Sequence, residues 1–129
     1  MIINANSLSI PLADKTVQTC VTSPPYWGLR DYGEANQLGL ETTPEKYVEN
    51  MVAVFREVWR VLKDDGTLWL NLGDSYATHA SKGSAQFGGD IESERNKIFT
   101  KKKPTAKSIG MKEKDLVGIP WMVAFALRS

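Results

Sequence analysis

Apolar and polar positions change period several times along the chain, and each change marks an element. Val17-Gln18-Thr19-Cys20-Val21-Thr22 is a run of β-forming residues that ends at Pro24-Pro25, where two ladder donors are missing. It reads as a strand, with Met1–Asn4 as a second short one. Tyr47, Val48, Met51, Val52, Phe55, Val58, Trp59 and Leu62 then recur at spacings of three and four, which predicts a helix with one apolar stripe. Pro44 suits its first turn, with Thr43 or Thr42 as the cap; Thr42 with Glu45 would make a capping box. Asp64-Asp65-Gly66 predicts the stop, with Gly66 in the left-handed conformation. Thr67–Leu72 reads as a strand closed by Gly73, and Trp59 and Trp69 are assigned to the core. Strand, helix, strand in that order implies parallel pairing through a right-handed crossover, hence an α/β fold. At the far end Asp115 is read as the cap of a helix carrying Leu116, Ile119, Met122, Val123 and Leu127, with Pro120 in its early part.

Residues 77–112 keep neither period and hold scattered Gly, Ser and Thr. Such a composition buries too little to order itself, so a long mobile loop is expected there, a flexible insert within one domain spanning 1–129. Charge sharpens this picture. The formal net charge of +1 hides six Lys/Arg against ten Asp/Glu in residues 1–78 and nine against four in residues 79–114. A basic insert in an acidic domain is a candidate for touching phosphates, and Lys101, Lys102 and Lys103 are its densest part; the bland alternative is a solvated loop.

Other features narrow the field by exclusion. No apolar run approaches the roughly 20 residues of a membrane span, and the start lacks a secretory pattern, so a cytoplasmic protein is expected. Cys20 is the only cysteine, which forbids an internal disulfide; in its apolar stretch it reads as a small buried hydrophobe. His79 is the only histidine and has no partners at ligand spacing, so no metal site is assigned.

Chemistry points to Thr22-Ser23-Pro24-Pro25-Tyr26-Trp27-Gly28-Leu29-Arg30-Asp31-Tyr32-Gly33, which directly follows the first strand. Open α/β sheets place ligands at the carboxyl ends of their strands. A bare Pro-Pro-Tyr is more often a turn with aromatics packed beneath it. Arg30 is a candidate phosphate contact or a partner of Asp31 or Glu34; Asp74 either lines the site or forms a turn.

The Ser-Pro-Pro-Tyr after a strand resembles the catalytic motif of DNA methyltransferases that modify the exocyclic amine of cytosine N4 or adenine N6. Trp27–Gly33, Phe55–Leu62, Gly66–Tyr76 and Lys114–Trp121 are similar to blocks of a phage and prophage branch of that family. The resemblance implies a partial Rossmann-like methyltransferase fold with a mainly parallel sheet, S-adenosylmethionine as donor, and double-stranded DNA with a flipped target base as partner. It assigns Ser23, Pro24, Pro25 and Tyr26 to catalysis: the Ser23 oxygen and Pro24 carbonyl accept from the amine, the prolines fix the backbone, and Tyr26 stacks on the base. Ser rather than Asp at position 23 leans toward cytosine N4.

The glycine-rich donor-binding loop of the family is not found. Gly83, Gly88 and Gly89 follow no strand, and Asn6 stands where many relatives carry an acid. The expectation is an N-terminal fragment with half a sheet, one apolar face open, and a complementing chain or self-association to cover it. The alternative is a non-catalytic, DNA-contacting remnant or one subunit of a split enzyme.

Overall fold

The computed structural model describes residues 2–78 and 105–129. Strand β1 spans Val17–Thr22, helix α1 Pro44–Val61, strand β2 Leu62–Leu70 and helix α2 Ile119–Arg128, with a short 3-10 turn at Lys107–Ile109. β1 and β2 pair in parallel, as the strand–helix–strand order predicts. Cys20 pairs with Leu68 and Thr22 with Leu70, so the half-buried residues of both strands face α1. Ile2–Asn4 form no strand; with Ile2 99% exposed, that segment has no ladder to join.

Thr43 caps α1, its side chain accepting from Lys46 N at 3.2 Å. That choice places Lys46 where a capping box needs Glu or Gln, so the Thr42–Glu45 box does not form. The helix ends differently from expectation too. Leu62 is already extended while its N–H still bonds Val58, and β2 begins at once. Gly66 is therefore not a left-handed stop. It lies in a bulge, because Val17 faces Leu62 but Thr19 faces Thr67. A Cβ at Gly66 would stand 2.9 Å from Lys63 O and 3.2 Å from Gln18 O, which is why glycine occupies the position.

The core gathers Tyr47, Met51, Phe55 and Val58 of α1, Ile119 and Val123 of α2, and Trp27 and Val117 of the connections. The stripe on α1 is rotated from the one predicted, burying Val54 and Val61 and leaving Trp59 79% exposed. Trp69 is likewise 65% exposed beside its register partner Val21, so neither tryptophan belongs to the core. Val21 and Trp69 form the apolar patch on the open face of the sheet. Among the described residues, no helix is long and apolar enough to cross a membrane.

Residues 77–78 and 105–112, counted with the insert by composition, are part of the fold. Tyr76 bridges Leu116, Ala77 N donates to Asp115 O and Ala77 O accepts from Lys114 N around that bridge, and buried Ala106 donates to Thr78 O at 2.7 Å. Asp115 is not the cap of α2, since its chain is engaged in this pairing and leaves Leu116 exposed. Gly118, with φ 86°, takes the cap position instead. The missing side-chain cap is supplied from afar. Asp74, just past β2, accepts from Gly118 N at 3.0 Å and Ile119 N at 2.9 Å.

Arg60 anchors the N-terminal arm. Its guanidinium holds Glu57 at 2.9 and 3.0 Å, Asp14 at 2.6 Å, and the carbonyls of Ile10 and Leu12. The bond from Arg60, and then that from Ile10 N, hold the Glu57 carboxyl below the usual range. A depressed folded-state pKa stabilises above the unfolded value of about 4.3 and ceases to as pH falls through the folded value. Glu57→Gln is therefore expected to flatten the acid side of the pH–stability curve below about pH 4.3. Thermal unfolding between neutral and strongly acidic pH checks this; an unaltered acid limb would contradict it.

Candidate active site

The end of β1 delivers Ser23, Pro24, Pro25 and Tyr26 into one cleft of about 290 Å³, lined also by Leu29, Arg30 and Tyr32. Five of the predicted site residues are thus brought together, Arg30 among them. Lys101, Lys102 and Lys103 lie outside the described residues, as does His79. Ser23 Oγ donates to Tyr26 Oη at 3.3 Å. No hydrogen bond to the Pro24 carbonyl is made among the described residues, so it is available to an incoming donor.

Several backbone atoms of the loop are held. Tyr26 O accepts from Leu29 N at 3.3 Å, closing a turn whose third residue, Gly28, has φ 67° and so favours glycine. Gly28 N donates to Gly39 O at 2.6 Å. Gly39, with φ 97°, packs so closely that a Cβ there would lie 3.0 Å from Tyr26 O. Gly73, after β2, backs the Tyr26 ring: a Cβ there would lie 2.8 Å from Cε2. Trp27 is buried, with Nε1 donating to Glu41 O at 2.9 Å and its carbonyl accepting from Ser75 Oγ at 3.1 Å. Gln37 staples the next turn, accepting from Tyr32 N and donating to Arg30 O. From α1, Tyr47 Oη donates to Pro25 O at 2.9 Å. Burial, then Glu41 and Tyr26, push the Tyr47 phenol above its ordinary range, which keeps it a donor.

These supports, Gly39, Gly73, Tyr47, Ser75 and Gln37, are absent from the predicted site. Their spacing in sequence gives no warning, because each acts through a backbone atom of the loop or against its ring. Asp74 is settled as the cap of α2 rather than a lining group. Cys20 faces the core, and burial raises its thiol pKa, in keeping with an inert residue. A larger cleft of about 400 Å³ touches Leu8, Gln37, Glu41 and Asn50, but Glu41 there is already occupied by Asn50 and Gly39 N.

A model of proteins described as DNA methylase matches residues 17–117, which includes the whole cleft. The chain belongs to the DNA methylase family. Among curated relatives, the Type II methyltransferase M.XycI of Xanthomonas campestris pv. cyanopsidis is 47% identical over 118 residues, covering 92% of this chain and 37% of its own. The Type II methyltransferase M.SmaI of Serratia marcescens is 45% identical over 117 residues, 90% of this chain and 38% of its own. M.Cfr9I of Citrobacter freundii, also a Type II methyltransferase, is 43% identical over 118 residues. The chain thus spans under two fifths of the length of these relatives. No solved structure matches it.

Proposed function

We propose that this chain carries the acceptor site of a DNA amino-methyltransferase, in which S-adenosylmethionine supplies the methyl group and an exocyclic base amine receives it. The observation that carries the reading is the cleft at the end of β1, which Ser23, Pro24, Pro25 and Tyr26 line together, with Ser23 Oγ 3.3 Å from Tyr26 Oη. An exocyclic amine is a poor nucleophile because its lone pair is delocalised into the ring. Two fixed oxygens accepting its hydrogens draw the nitrogen toward tetrahedral geometry and stabilise the positive charge that develops on it. Ser23 suits the role once its hydrogen turns to Tyr26, since the oxygen then presents a lone pair. Tyr26, backed by Gly73, offers a face on which a flipped base stacks, offsetting part of the cost of leaving the duplex.

Cytosine N4 is favoured over adenine N6 because the family resemblance associates Ser at position 23 with it. Double-stranded DNA is the partner. Arg30, at the rim of the cleft, and Lys101–Lys103 are assigned to phosphates. We assign the protein to the cytoplasm, where its substrate lies.

The described residues do not fit the donor. The two carboxyl strand ends carry Pro24-Pro25 and an Asp74 already committed to α2, and neither forms a glycine-rich cradle. The chemistry of this chain's own residues is accordingly that of the acceptor side, with a complementing segment or chain holding the donor. The same observation favours a second reading, a DNA-contacting subunit without catalysis of its own. Incubation of the protein with tritiated S-adenosylmethionine and plasmid DNA from a methylation-deficient host separates them. Label in the DNA supports the first reading, and absence of label under conditions where the donor binds sinks it.

A further inference from the structure

The acceptor oxygens and the stacking ring belong to Ser23, Pro24 and Tyr26, so the backbone torsions across Pro24-Pro25 set where their side chains can be placed relative to one another. The proline rings fix φ at Pro24 and Pro25 near −65°. A following proline also confines ψ of the residue before it, which restrains Ser23 and Pro24. The ψ of Pro25 escapes both rules. It turns the Pro25 carbonyl and the Tyr26 N–H together as one rigid plane.

That carbonyl is the one Tyr47 holds. Tyr47 sits on α1, is 0% exposed, and reaches Pro25 O across a sequence separation of 22 residues. One residue further, Leu29 N and the close approach of Gly39 fix the Tyr26 carbonyl. We propose that Tyr47 is a positioning residue whose hydroxyl holds the Pro25 peptide, and with it the backbone torsion that neither proline rule fixes, between the amine-accepting oxygens and Tyr26. The proposal rests on the acceptor-site reading above. It assigns to a core helix a share in catalysis that the Pro-Pro-Tyr motif does not contain. The side chain touches no substrate; it acts through the Pro25 peptide. Its phenol stays protonated through the neutral range, so the bond does not depend on working pH.

Tyr47→Phe keeps the buried ring and deletes only the donor. In methyl transfer to DNA, kcat is expected to fall roughly 10- to 100-fold, the cost of a small misplacement of reacting groups, while KM for DNA changes less than about twofold. In amide hydrogen exchange, Gly28 and Leu29 are expected to exchange about tenfold faster while Met51 and Phe55 of α1 keep their protection. An unchanged kcat in an active enzyme overturns the proposal. So does unchanged exchange at Gly28 and Leu29, or acceleration spread equally over α1, which would make Tyr47 an ordinary core residue. A wild-type protein that transfers no methyl group even where the donor binds, alone or with the complementing chain, counts against the acceptor-site reading instead, and exchange at Gly28 and Leu29 then decides on Tyr47 alone.

Discussion

Ser23→Ala and Tyr26→Ala are each expected to lower methyl transfer by at least about a hundredfold while leaving the unfolding transition nearly in place. Ser23 is exposed, and its described hydrogen bond is the one to Tyr26, so its loss creates no cavity and strands no buried group. In the proposed acceptor site, the substitution removes one of two oxygens that accept from the amine as its charge forms. Such preorganised groups are worth about 10²–10³ in rate. Tyr26→Ala removes the ring face and leaves a space beside Gly73, so the target base has nothing to stack on once it leaves the duplex. Tyr26→Phe keeps that face and is expected to retain most of the rate. Single-turnover transfer with each variant, alongside its melting curve, checks the pair. Full activity in Ser23→Ala or Tyr26→Ala would remove that residue from the acceptor site.

The largest expected loss of stability among polar substitutions belongs to Asp74→Ala. One carboxylate accepts from Ser75 N at 2.8 Å, from Gly118 N through both oxygens at 3.0 Å, and from Ile119 N at 2.9 Å. It neutralises the first amides of α2 and places a negative charge at the positive end of that helix. It also ties the end of β2 to the helix that completes the core with Ile119 and Val123. Gly118 has no side chain to take over, so removal costs about 2 kcal/mol. Asp74→Asn keeps one acceptor oxygen and is expected to cost about half as much. Denaturant unfolding measures both, and a loss under about 0.5 kcal/mol for Asp74→Ala would contradict the capping role.

These two sites also separate what the sequence discloses from what it withholds. β1, α1, the parallel pairing and the placement of Ser23–Tyr26 at a strand end follow from local signals: a β-forming run, a three-and-four stripe, and two prolines. The same signals fail where distant chain segments compete. Gly66 carries the composition of a helix stop, yet Gln18 and Lys63 crowd it within a bulge. Asp115 has the position of a helix cap, yet its backbone pairs near Ala77 and Asp74 does the capping from 44 residues away. Trp59 and Trp69 are apolar enough for the core but lie beside the stripe on α1 and on the outer side of the sheet. Tyr47 is visible in the sequence as a core residue. Only its hydroxyl, aimed at Pro25, links it to the site.

Val21 and Trp69 leave the outer face of the sheet apolar and exposed. Everything proposed for the cleft turns on the atom that accepts the methyl group. Digesting DNA treated with the protein and S-adenosylmethionine to nucleosides, and identifying the methylated base by mass spectrometry, reads that atom directly. N4-methylcytosine is expected with the wild-type protein once the donor-holding segment or chain is supplied, and at least about a hundredfold less of it with Ser23→Ala. A methyl group on a ring carbon, or an unchanged yield with Ser23→Ala, would contradict the acceptor site built on Ser23, Pro24 and Tyr26.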